Sequence, residues 1–324
     1  SFSFAYYAVI APVMLFWPLY LTQQGFDGVE VGIVMGIFAA TRATLPFFWG
    51  WLADALGWRM RLIRLTSVAT CALFLPMAYA ESFTGIALLT FCYSVFWTAA
   101  IPLFEAATLS HLQHSGGQYG HIRAWGSLGY VVMALLFGAL LDVYSLAYLP
   151  LFTLPLYVWL AVSSWAVPEA AAVRIAHETR PLLPVLRHPR VVALLLVCFL
   201  SQLAHGLYYG YFTQYAVLDW HYSKTDTSVL WIVGVVAEIM VFLWMSRLLH
   251  RVSAWTLLIA ALLGTALRFA ALVWTMQSFW ALMAVQTLHF LSFGVYHAAS
   301  VALIHHYFAG SLQARGQALY SAVS

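Results

Sequence analysis

Residues 50–61 read Gly-Trp-Leu-Ala-Asp-Ala-Leu-Gly-Trp-Arg-Met-Arg and join two apolar stretches, 28–52 and 61–80. Glycine tolerates the backbone angles of tight turns, so we expect a turn at Gly57. Asp54 can cap a helix or pair with the basic residues that follow it, of which Arg59 is the first. Gly50 has no side chain, and we expect two helices to approach closely there. The segment therefore predicts a short polar turn between two helices.

Apolar residues dominate the chain on both sides of this turn. The sequence has 324 residues, of which 64% are hydrophobic and 8% are charged, whereas soluble domains carry about 25% charged residues. A membrane-spanning helix needs roughly 20 apolar residues. A chain of this length therefore holds ten or eleven spans with short loops, which leaves no room for a soluble catalytic domain. We predict a membrane protein that is not an enzyme.

Ten apolar segments follow one another, and an eleventh begins near residue 313. Continuous apolar runs favour helices over barrel strands, because a helix satisfies its own backbone hydrogen bonds in lipid. The predicted fold class is all-α integral membrane. The segments are 2–23, 28–52, 61–80, 83–110, 119–142, 145–167, 190–217, 227–249, 252–275 and 277–309.

Basic residues in the turns lie almost entirely on one side of the alternating topology. Ten arginines fall on that side, and Lys224 falls on the other. Cytoplasmic loops carry the excess of basic residues. This distribution predicts a multi-pass protein of the inner or plasma membrane with a cytoplasmic N-terminus.

The chain divides at its one long polar stretch. We predict a six-helix half at 1–167, a cytoplasmic linker at 168–189 and a second half at 190–324. A shift of 196 residues lays Ala40–Ile63 over Val236–Ile259 without a gap, which suggests an internal repeat. The alternative is that any two hydrophobic hairpins align this well. If the repeat holds, the second half ends within its eleventh helix and lacks the twelfth.

Five charged residues within or at the ends of apolar spans are candidate site residues. A charge at the bilayer centre costs about 3 kcal/mol on insertion scales, so each should face a partner or a watery cavity. Three are positive and two are negative, which favours a net positive cavity and an anionic substrate. The alternative is a set of ion pairs that lock helices together without a ligand. The residues are Arg42, Glu105, Arg123, Glu238 and Arg268.

Three histidines, His205, His289 and His297, also lie in spans. Because histidine changes charge near neutral pH, each could carry a coupled proton. The alternative for each is a neutral ring bonded to a neighbouring carbonyl. The aromatic residues around Tyr209 either line a pocket or pack. The three cysteines show no metal-binding spacing, and no metal or cofactor is predicted.

The turn at 50–61 resembles the loop signature of the major facilitator superfamily, which has Gly, Leu-Ala-Asp, Gly and basic residues between helices two and three. The resemblance implies a conformational loop motif made of Gly50, Asp54, Gly57 and Arg59. Other segments resemble the branch that contains the 3-phenylpropionate transporter and is related to the lactose permease group. The resemblance runs along essentially the whole chain and implies a two-bundle fold of 6+6 helices, here truncated within helix 11. The segments are YGHIRAWGS (119–127), AHGLYYG (204–210), GVVAE (234–238), QTLH (286–289) and QALYSA (317–322).

The resemblance implies roles residue by residue. Glu105 and Arg123 are similar to the acid and arginine of the permease that hold its substrate. Glu238 matches the glutamate that links substrate binding to proton coupling. Arg268 and His289 match the arginine of helix nine and the histidine of helix ten.

Two departures from the permease bear on the substrate and the proton. Gln286 and Ser292 stand where the permease has a lysine and its proton-bearing glutamate, so a sugar is disfavoured. We expect Glu105, Glu238 or a histidine to carry the proton. We expect Arg123, helped by Arg42 or Arg268, to attract a carboxylate, with His205 and Tyr209 at the site. Arg123 is predicted to lie within a few Å of Glu105 or Glu238.

The predicted function is secondary active transport by alternating access. The protein would be a proton symporter of an aromatic carboxylate such as 3-phenylpropionate. The alternatives are a nucleoside or sugar symporter or uniporter of the same fold, and a membrane sensor that transports nothing. The expected partners are a small-molecule substrate, protons and the lipid bilayer, without nucleic acid, and the expected state is a monomer.

Overall fold

The computed structural model describes residues 2–115, 119–167, 182–309 and 312–323. These residues are nearly all helical, and no strand occurs among them. Ten helical segments of the described chain are long and apolar enough to cross a membrane. The predicted all-α membrane fold class is therefore confirmed.

Six α-helices are described before residue 167. The second and fourth continue past the predicted ends at 52 and 110, because their last turns leave the apolar window but keep their backbone hydrogen bonds. Short 3-10 turns extend the third helix to Tyr79 and flank the sixth. The helices are α1 (Phe2–Gln23), α2 (Gly28–Leu56), α3 (Arg59–Phe74), α4 (Phe83–Ser115), α5 (Tyr119–Val143) and α6 (Leu149–Ser163).

Seven further helices are described after residue 182. Two π-helical turns interrupt the spans, one at Tyr215–Asp219 and one at Phe290–Val295. The second turn joins α11 to α12 within a single span, Phe279–Tyr307. The helices are α7 (Leu183–Leu186), α8 (Pro189–Gln214), α9 (Lys224–Arg251), α10 (Ala254–Thr275), α11 (Phe279–Thr287), α12 (Tyr296–Tyr307) and α13 (Gln313–Val323).

The offset of 196 residues found in the sequence also relates helix starts. It carries Gly28, the first residue of α2, onto Lys224, the first residue of α9. It also carries Ser82 onto Ser278. Each serine hydroxyl accepts a hydrogen bond from the backbone N–H three residues later, at 3.2 and 3.4 Å, and so caps α4 and α11. Equivalent caps give the two halves equivalent helix boundaries, which supports the repeat.

The described residues form two compact units. The first comprises residues up to 167 together with Tyr209–Gln214, and the second comprises the other described residues from 182 onward. In the first, α1 packs against α5 and α6, while α4 packs against α2 and α3. In the second, the π-turn at Phe290–Val295 packs against α9 and α10. The predicted boundaries at 167 and 190 stay a prediction, because most of the linker lies outside the described residues.

The turn between α2 and α3 has much of the geometry expected from its sequence. Gly57 ends α2 with φ +66°, in the left-handed region that favours glycine. Asp54 Oδ1 accepts a hydrogen bond from Arg59 Nη2 at 3.0 Å, which forms the expected ion pair. The expected close helix approach at Gly50 is wrong, because a Cβ added there meets no atom within 4 Å. The conformational role of the motif formed by Gly50, Asp54, Gly57 and Arg59 stays a prediction.

Replacing Gly57 by alanine is expected to lower the free energy of unfolding by about 1 kcal/mol, because an L-residue is strained in the left-handed region. Gly50→Ala is the matched control and is expected to be neutral or slightly stabilising, since alanine favours helix. The thermal unfolding midpoint of the purified protein in detergent measures both. Equal losses in the two variants would contradict this account of the turn.

Candidate functional site

Arg268 on α10 lies at the centre of a buried polar cluster, with 1% of its surface exposed. Its Nη2 donates to Gln286 Oε1 at 2.8 Å, and its Nη1 donates to Ser292 Oγ at 3.2 Å. Nη1 also lies 3.1 Å from His289 Nδ1. Within the described parts of the chain, no carboxylate lies at ion-pair distance from this guanidinium. A permanent cation is thus held in a membrane span by neutral groups.

The contact with Arg268 fixes the tautomer of His289. Because arginine only donates hydrogen bonds, His289 Nδ1 must accept, and the neutral ring carries its proton on Nε2. Nε2 lies 3.6 Å from Glu238 Oε2. Gly234, one turn before Glu238 on α9, leaves room for the histidine, since a Cβ there would lie 3.2 Å from His289 Cβ. Glu238 therefore reaches Arg268 through His289.

Aromatic rings border the same cluster. The guanidinium carbon of Arg268 lies 4.5 Å from the ring centre of Tyr208 and 5.7 Å from that of Phe269. Tyr208 accepts a hydrogen bond at its hydroxyl from Gln286 Nε2, at 2.7 Å, and its ring lies 4.8 Å from Trp231. A cation over aromatic faces is stabilised by the ring quadrupoles. These rings give the cation an apolar wall.

The three predicted histidines have different surroundings. His205 is fully buried, with Nδ1 2.8 Å from the carbonyl oxygen of Ser201, as expected for the alternative of a carbonyl-bonded ring. Its ring centre lies 6.4 Å from that of His289. His289 stacks on Phe293, which stacks in turn on His297, at 5.3 and 6.0 Å. His297 therefore lies one ring further from Arg268.

Other predicted site residues lie on the first unit. Arg42 is exposed on α2, Glu105 is half-buried on α4, and Tyr209 is half-buried in the segment of α8 grouped with that unit. Arg123 is on α5, but its side chain lies outside the described residues. Its pairing with Glu105 or Glu238 stays a prediction.

Three residues of the cluster were not among the predicted site residues: Gln286, Ser292 and Tyr208. In the sequence the first two stand out only as replacements for permease residues, whereas in the structure both bind Arg268. A spacing signal was available. Gln286 precedes His289 by three residues, as His205 precedes Tyr208, and residues three apart are neighbours on a helix surface.

A family model described as the MFS_1 like family matches residues 1–324. The chain belongs to the MFS_1 like family. Like its relatives, this MFS_1 like protein is a transporter of the major facilitator type and not an enzyme, and it crosses the membrane several times. The recognition made from the turn at 50–61 is confirmed.

Three similar proteins illustrate the relationship. This MFS_1 like chain is 27% identical over 331 residues to a "Probable 3-phenylpropionic acid transporter" of Escherichia coli (strain K12), which covers 99% of this chain and 85% of that protein. It is 31% identical over 146 residues to a maltose permease of Geobacillus stearothermophilus, which covers 44% and 37%. A crystal structure of a mutant of the nucleoside transporter NupG has the same fold, with a TM-score of 0.89, 13% identity and 99% and 85% coverage.

Proposed function

We propose that this transporter carries a small aromatic carboxylate, such as 3-phenylpropionate, together with a proton. The observation that carries the proposal is Arg268, a buried cation whose described partners are neutral. A carboxylate is its natural complement, because the planar guanidinium binds two carboxylate oxygens at once. The 27% identity to the probable 3-phenylpropionic acid transporter supports this substrate class.

The aromatic wall supports a substrate with a ring. Tyr208 and Phe269 lie beside the guanidinium, and Trp231 lies against the ring of Tyr208. These rings can pack against the phenyl group while Arg268 binds its carboxylate. From the sequence, Arg123 and Glu105 remain proposed contributors from the first half. The substrate then reaches the cluster by alternating access of two helical halves. We further propose that the protein is a monomer in the inner membrane with a cytoplasmic N-terminus.

Proton coupling follows from the shared contact between Arg268 and His289. While Arg268 donates to Nδ1, this nitrogen cannot hold a proton, because two hydrogens would then point at each other. A substrate carboxylate that binds the guanidinium releases Nδ1, which then takes up one proton from the solution on the side from which the substrate entered. The resulting imidazolium pairs with Glu238, whose Oε2 lies 3.6 Å from Nε2. Substrate and proton therefore bind together.

A sugar is the second candidate substrate. The observation that favours it is the 31% identity to the maltose permease over 146 residues. A neutral sugar would leave the charge of Arg268 uncompensated. A sugar substrate therefore predicts that maltose inhibits uptake and that carboxylates do not.

The decisive experiment measures uptake of labelled 3-phenylpropionate by cells that express the full-length protein. We expect uptake that a protonophore abolishes, that unlabelled 3-phenylpropionate inhibits and that the neutral amide 3-phenylpropionamide does not inhibit. Arg123→Ala is expected to abolish uptake as well. Inhibition by maltose but not by carboxylates would favour the sugar. Uptake that survives both the protonophore and Arg123→Ala would overturn the coupling and the role of Arg123.

A further inference from the structure

An open groove lies at one end of the second unit, away from the Arg268 cluster. It has a volume of about 570 Å³ and separates the first turns of α8 from the first turns of α10. Four of its five lining residues present apolar or aromatic surface, and the fifth is an arginine. The lining residues are Pro189, Arg190, Ala193, Trp255 and Ile259.

The groove lies at the level where a membrane changes from polar to apolar. The spans that form it begin at Pro189 and Ala254. At about 1.5 Å of rise per residue, the groove occupies roughly the first 7 Å of each helix. Trp255 donates its indole N–H to the Tyr307 hydroxyl at 3.3 Å, and so presents its ring to the groove. Tryptophan is enriched at this boundary because it is apolar with one polar edge.

The charge around the groove is positive. The Arg190 side chain is exposed and makes no hydrogen bond or ion pair with any other described residue. Arg187 on the same stretch and Arg251 at the end of α9 are likewise exposed. The sequence from 239 to 324 contains no aspartate or glutamate. This end of the unit therefore attracts anions.

We propose that this groove binds an anionic phospholipid. Its phosphate contacts Arg190, and one acyl chain lies along Ala193 and Ile259 against the ring of Trp255. Basic pockets between transmembrane helices on the cytoplasmic side suit such head groups, because that leaflet holds the anionic lipids. A zwitterionic lipid fits the apolar groove equally well but lacks the net charge that this surface selects. The lipid site and the substrate site are separate.

Native mass spectrometry of the purified full-length transporter tests this site with two lipids, dioleoyl-phosphatidylglycerol and dioleoyl-phosphatidylcholine. We expect one phosphatidylglycerol to bind more tightly than phosphatidylcholine. Arg190→Gln should weaken that binding at least about fivefold, since one basic residue near the surface is worth about that factor. Arg190→Lys should retain most of it. Ala193→Trp should also weaken binding, because it fills the groove without changing the charge.

Arg187→Gln is the matched control, since it removes an equal charge two residues before the groove. It is expected to weaken binding clearly less than Arg190→Gln, because its charge adds to the general attraction of anions but does not line the groove. An equal loss in Arg187→Gln and Arg190→Gln would overturn the proposal, since the attraction would then be diffuse. So would equal affinities for the two lipids. Displacement of the lipid by inorganic phosphate at a matched concentration would show a simple anion site and would also overturn it.

Discussion

Arg268→Ala is expected to lower the rate of substrate uptake at least about 100-fold. The substrate carboxylate would lose two charge-assisted hydrogen bonds from the guanidinium, each worth about 1.5–3 kcal/mol. A loss of about 1.4 kcal/mol is a factor of ten. Arg268→Lys should not restore uptake, because an ammonium cannot make the paired contacts of the planar fork. Initial rates of labelled uptake, normalised to the protein in the membrane, measure both variants.

The alanine variant also leaves buried partners unsatisfied, so a loss of uptake has two explanations. Gln286→Glu separates them. It supplies an internal carboxylate at the position where Gln286 Oε1 now lies 2.8 Å from Arg268 Nη2. The new ion pair should keep the cluster intact, as the thermal unfolding midpoint would show, yet block uptake by occupying the cation. A stable Gln286→Glu protein with unchanged uptake would contradict a carboxylate site at Arg268.

Arg42→Ala is the matched comparison among arginines in spans. Arg42 is exposed on α2, whereas Arg268 is buried among hydrogen-bonding partners. The sequence allowed either residue as the helper of Arg123, and our proposal assigns that role to Arg268. We therefore expect Arg42→Ala to reduce uptake less than Arg268→Ala. The reverse order would move the carboxylate site to the first unit.

The spans could be predicted well from the sequence, because a membrane helix requires a continuous length of apolar residues. A sliding hydropathy window detects that length directly. The sequence also singled out Arg268 and His289, which the structure brings into contact, because a charge in lipid is costly enough to require an explanation. Gln286 and Tyr208 were harder to predict. A neutral amide costs less to bury in a membrane than a charge does, so Gln286 did not require an explanation. From the sequence alone, a tyrosine that lines a binding site cannot be told from one that only packs in the core. The π-turn at Phe290–Val295 has no sequence signature at all.

The lipid groove could not be predicted for a different reason. Arg190 and Trp255 are 65 residues apart in the sequence, and only the packing of α8 beside α10 brings them together. In the sequence, Arg190 was one of ten arginines that set the orientation. Its lack of a partner among the described residues is a property of the fold.

Glu238→Gln is expected to abolish accumulation of substrate against its gradient while exchange across the membrane continues. The amide cannot stabilise an imidazolium on His289, so the proton no longer binds with the substrate, whereas Arg268 still holds the carboxylate. Without coupling to the proton, the internal concentration of the substrate anion should not exceed the external one. His289→Gln should also lose accumulation and keep exchange. The glutamine oxygen can still accept a hydrogen bond from Arg268, but the amide does not take up a proton. Uptake to steady state, and efflux of labelled into unlabelled substrate, measure accumulation and exchange.

His297→Gln is the matched control for the histidines. His297 lies beyond Phe293 in the ring stack, and its Nδ1 lies 2.8 Å from the Tyr320 hydroxyl rather than near Arg268. A proton there would not compete with Arg268, so this variant should still accumulate substrate. If His297→Gln lost accumulation while His289→Gln kept it, His297 would be the residue that binds the transported proton, as the sequence alone allowed. If all three variants accumulated substrate, Glu105 would be tested next, because it is the other carboxylate predicted to carry the proton. The contact between Arg268 and His289 would then serve only to hold α10 against the π-turn.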